Sequence, residues 1–67
     1  MIATKLKLEC LIKEIRFAPD IDAELVRIVK EILGYVESDT LPEHVAAQYL
    51  VAAYQEYEIA KFFREGR

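Results

Sequence analysis

Residues 45–54 read VAAQYLVAAY, ten residues with one polar side chain, Gln48. A run this apolar belongs to a buried helix or a buried strand, and periodicity alone does not separate the two. The residues before it do. Thr40 can cap a helix, and Glu43 three residues later completes a capping box. Pro42 falls in the first turn, where its missing amide costs nothing. The alanines of the run favour a helix as well. The spacing predicts a helix over residues 41–64, about 35 Å long. Its apolar side chains form two faces. Val45, Tyr49, Ala52, Ala53, Ala60 and Phe63 lie on one, and Ala47, Leu50, Val51, Tyr54 and Tyr57 on the other. One face can serve the chain's own core. The other needs a second surface.

Two shorter segments precede this helix. In residues 4–17, Leu8, Leu11, Ile12 and Ile15 follow the i, i+3, i+4, i+7 rule. Thr4 can cap a helix there, and Leu6, Cys10 and Phe17 make a thinner stripe on its far side, the mark of an element sandwiched between two surfaces. Pro19 breaks the pattern by disfavouring helical geometry at Ala18. Asp20 or Asp22 then opens a second helix over residues 21–33. Ile21, Leu25, Ile28, Val29 and Ile32 line its inner face. Arg27 and Glu31 stand four residues apart on its outer face, as an ion pair would. Gly34 is placed to end it in the left-handed conformation, with Tyr35 and Val36 folding back onto the core. The expected fold is therefore all-α: a single domain over residues 1–67, with three helices at about 4–17, 21–33 and 41–64. The first two form a hairpin packed on the long third.

Composition bears on what such a domain does. Of 67 residues, 54% are hydrophobic. A chain this short buries only about 60% of its unfolded surface, so apolar residues are left over. Large exposed apolar patches mark interfaces, which makes a homo-oligomer, most simply a dimer, the expectation. A further protein partner would use the same kind of surface. Val45, Gln48, Tyr49, Ala52, Ala53, Tyr54 and Tyr57 are the candidate interface, since tyrosine is enriched at interfaces and small residues allow close backbone approach. At a two-fold seam Gln48 could pair with its own copy. The net charge is −3, with a basic start (Lys5, Lys7, Lys13, Arg16) and an acidic middle. That balance counts against nucleic acid.

Nothing in the sequence assembles chemistry. His44 is the only histidine, and it is adjacent to Glu43 rather than at the Glu-x-x-His spacing that points two ligands the same way. Cys10 is the only cysteine and reads as a small core hydrophobe. Neither a phosphate-binding glycine loop nor a zinc motif is present. No catalytic residue, cofactor or metal is expected. The lone cysteine fits a reducing cytoplasm. Lys5, Lys7 and Glu9 interrupt any signal-peptide run, and no apolar stretch reaches the roughly 20 residues of a membrane span. The reading is a non-enzymatic helical interaction module.

The alternative turns on residues 5–10, KLKLEC, where Leu6, Leu8 and Cys10 alternate with charges as in a strand. Followed by IDAELVRIVKEILGY, that order resembles the ribbon-helix-helix antitoxins and repressors. The resemblance implies an N-terminal strand and DNA binding. In that family the strand leads almost directly into its helix, whereas here a further apolar-patterned segment and Pro19 intervene.

Overall fold

The computed structural model describes residues 2–65. The chain runs up, down and up through three helices: α1 (Ile2–Glu14), prolonged by a 3₁₀ turn (Ile15–Phe17), α2 (Ile21–Glu37) and α3 (Glu43–Arg64). Among the described residues there is no strand. Residues 5–10 lie inside α1, so the ribbon on which the ribbon-helix-helix resemblance depends is not formed. The helical period wins because Leu8, Ile12 and Ile15 are all buried on one side, an arrangement the alternating pattern cannot make.

Isoleucine and leucine from α1 and α2 meet alanine from α3. The core is Leu8, Ile12 and Ile15, then Ile21, Ile28 and Ile32, then Leu41, and Ala46, Ala53 and Ala60. The three alanines recur every seven residues, which keeps one narrow line of α3 against its neighbours. Having no bulk, they let α3 lie close to both other helices. α2 packs most extensively on α3 and least on α1. The hairpin that dominates the fold is therefore α2–α3 rather than the α1–α2 pair expected from the sequence. Phe63, placed by spacing on one face with Ala53 and Ala60, is 71% exposed. The buried line runs through Ala60, and Phe63 stands about 60° from Ala60 around the helix.

Four helix ends differ from expectation. α1 begins at Ile2, ahead of Thr4. It tightens into the 3₁₀ turn before Pro19, as helix ends commonly do. α2 passes through Gly34 and ends at Glu37. Tyr35 and Val36 pack against the core as part of the helix, and that burial carries it onward. The left-handed residue is Asp39, at φ 63°. The Asp39 amide donates to the Val36 carbonyl and the Thr40 amide to the Tyr35 carbonyl, the paired bonds of a Schellman motif with Asp39 in the place usually held by glycine. That motif takes the residues which the capping box would have used. The Thr40 hydroxyl pairs with the Ser38 hydroxyl at 2.7 Å. Leu41 plugs the core, and α3 starts two residues late, with Pro42 as an N-cap lacking any side-chain bond. The expected cap that does form is Asp20, whose carboxylate accepts the Ala23 amide at 3.1 Å.

A candidate interface on the flanks of α3

Side-chain bonds fix the register of the bundle. Arg16 donates to Glu56 through Nε at 2.6 Å and Nη2 at 3.3 Å. Arg64 donates to the Arg16 carbonyl at 2.9 Å and the Pro19 carbonyl at 3.3 Å, satisfying carbonyls left open where the first helix ends. α1 and α3 therefore run parallel, forty residues apart in sequence. On the opposite flank Tyr57 donates to Asp22. That bond holds the Tyr57 hydroxyl up to about 12, its removal from solvent adding to the effect. Between α1 and α2, Lys7 reaches Glu31 at 3.1 Å, and Tyr35 donates to the same carboxylate at 3.2 Å. The bonds to Glu31 and Tyr35 raise the Lys7 ammonium above its ordinary value. Glu31 is thus drawn to α1, and Arg27 pairs instead with Glu24, three residues before it. The Arg27–Glu31 pair expected from spacing gives way to this inter-helix contact.

The seven residues expected at an interface occupy three different surroundings. Ala53 is fully buried in its own bundle, and Tyr57 is half-buried on the α2 flank. Tyr54 is 57% exposed beside it, its ring 6.2 Å from that of Tyr57. Val45, Tyr49 and Ala52 lie half-buried on the α1 flank, with Gln48 exposed next to them. Gln48 does not enter a core. It stands on the rim of an open groove of about 370 Å³ between α1 and α3.

That groove has an apolar floor. Ile12 and Ala52 form the floor, Tyr49 and Glu56 the walls, and Glu9, Lys13 and Gln55 much of the rim. Burial raises the Tyr49 hydroxyl above its ordinary value, and the Glu9 carboxylate adds to this. The groove exists because Ala52 is small where its neighbours one turn away are large. Sequence reasoning missed Ile12, Gln55 and the apolar residues farther along the same flank, Ile59 and Phe63. A signal was present: Val45, Ala52 and Ile59 recur every seven residues, one position ahead of the buried Ala46, Ala53 and Ala60.

The chemistry-bearing side chains are dispersed. Cys10 is exposed rather than in the core, because it lies about 160° around α1 from Leu8. Leu6 and Phe17, on the same stripe, are exposed with it, so within one chain that face is open rather than sandwiched. His44 is exposed in the first turn of α3. Among the described residues no three His, Cys, Asp or Glu side chains group to hold a metal, and no helix is long and apolar enough to cross a membrane. Comparison with protein-family models, with curated proteins and with solved structures finds no match for this chain.

Proposed function

We propose that this chain is a non-enzymatic helical interaction module that acts as a homo-oligomer, in the simplest case a dimer. One observation carries the reading. The core is complete within a single chain, with no polar side chain buried among the described residues. Yet α3 still exposes Val51 (56%), Tyr54, Ile59 (36%), Phe62 (53%) and Phe63. Five large apolar side chains left exposed on one helix are more than one small chain's own core uses, and exposed apolar surface beyond single scattered residues marks association sites. Phe62 and Phe63 add an edge-to-face pair, 5.8 Å between ring centroids, at the end of the helix. Aromatic residues are the side chains that interfaces favour.

Sedimentation equilibrium tests the reading. Twice the chain mass is expected at about 10 μM, as a micromolar dissociation constant requires. The melting temperature should also rise with protein concentration, because association stabilises the folded chain by mass action. A chain that stays monomeric at about 100 μM, with a melting temperature independent of concentration, would overturn it.

A further inference from the structure

On the α1 flank α3 outlasts its neighbour. The register that sets Arg16 beside Glu56 brings the end of the 3₁₀ turn, Phe17, level with Tyr57. α2 starts at the same level, since Tyr57 meets Asp22. The last two turns of α3 therefore project past the platform made by the other helices, with Ala60 buried and Arg64 bonded to the Arg16 and Pro19 carbonyls. Ile59 and Phe63 lie on this overhang, seven and eleven residues beyond Ala52. Those spacings are close to two and three full turns, so knob and groove share one flank of one helix.

We propose that the overhang of one chain docks in the α1/α3 groove of a second copy, each copy doing the same to the other about a two-fold axis. The proposal rests on the self-association reading above and names its surface. With α3 helices antiparallel and the axis between positions 57 and 58, Phe63 of one copy faces Ala52 of the other, over the floor that Ile12 completes. The axis then falls where the first helix ends, so the two α1 helices lie on opposite sides of it and do not collide. Lys13 on the groove rim stands beside the last turn of the incoming helix, where unpaired carbonyls favour a cation. Gln48 lies beyond the paired stretch rather than opposite its own copy.

Area favours a second copy over a one-way partner. At roughly 200 Å² for a fully exposed large side chain, Ile59 and Phe63 present roughly 200 Å² per chain. Docked once, they and the groove they cover would bury about 400 Å² in total, well within the size of a crystal contact. Reciprocal docking doubles this to about 800 Å², where weak, transient interfaces begin to exceed crystal contacts.

Two variants test the arrangement. Phe63→Glu removes the knob at a mostly exposed position, and Ala52→Phe fills the hole. Sedimentation equilibrium is expected to show each alone at least about a hundredfold weaker in dimerisation, as for an interface hot spot, with helicity by circular dichroism unchanged. An equimolar mixture restores one intact knob and hole, so a mixed dimer about tenfold tighter than either variant alone is expected. Should Ala52→Phe lose helicity, Gln55→Trp blocks the groove from its exposed rim. Val51→Glu, on the outward face, leaves the parent dimer intact. If the parent dimerises but the mixture does not associate, or Val51→Glu alone breaks the dimer, this arrangement is wrong while self-association stands. If the parent is monomeric, both fall.

Discussion

Ala53 shows how much of this fold rests on the absence of a side chain. It is fully buried between α1 and α2 together with Ala46 and Ala60. Ala53→Leu adds three carbons to a site with no room for them, and a loss of about 1–3 kcal/mol is expected in denaturant unfolding. A variant as stable as the parent would mean that α3 can stand off from its neighbours. The five alanines of α3 are equally small, and nothing in their spacing ranks them. Ala46, Ala53 and Ala60 turn out buried, Ala52 floors a groove, and Ala47 faces solvent. A run that is apolar on all sides carries no internal clue to which side faces in. Tyr57 makes a second prediction. Its hydroxyl, bonded to Asp22, is held up to about 12, whereas a tyrosine in the unfolded chain ionises near its ordinary value of 10.0. The folded state keeps the proton longer, so this contribution is whole below pH 10 and disappears as pH rises through about 12. The raised Lys7 ammonium acts in the same direction above its ordinary value of 10.5. Tyr57→Phe is expected to flatten the alkaline limb of a stability-against-pH curve. An unchanged limb would show that the Asp22 bond does not form in solution.

At the scale of elements, Gly34 separates what local pattern can say from what packing decides. By sequence it is a well-placed helix terminator; in the fold it is an interior helical residue. A Cβ built at Gly34 meets nothing within 4 Å, and its φ is not left-handed. Gly34→Ala is therefore expected to stabilise the domain by about 0.5–1 kcal/mol, read from thermal unfolding. Were Gly34 the left-handed end of α2, the same change would destabilise it, so the sign alone decides. The start of α2 was legible because Asp20 acts on an amide three residues away. Its end was not, because the burial of Tyr35 and Val36 that prolongs the helix depends on α3. The start of α3 slipped for the same reason: Leu41 is committed to the core and Thr40 to the preceding turn before any capping box can form.

At the scale of the molecule, three helices and a single core could be read from spacing alone, since each inner face repeats at the helical period. The groove could not. Its floor joins Ile12 to Ala52, forty residues apart, and neither position signals the other. The overhang was partly legible, because a third helix of over twenty residues outruns partners several residues shorter. Its direction and aromatic end emerged only with the register set by Arg16 and Glu56. The concentration dependence of the melting temperature belongs to this scale, for it reports whether one chain or two is the folded unit. The overhang also governs shape. Two copies joined through it would overlap along only the last 14 residues of each α3, about 21 Å. Each chain measures 40 × 18 × 17 Å, so the pair would be a rod about 60 Å long and scarcely thicker than two helical layers, by the rise per residue. Its two far tips are the turns around Asp39, held as far apart as the assembly permits, and the protein would act on whatever touches those tips as a spacer.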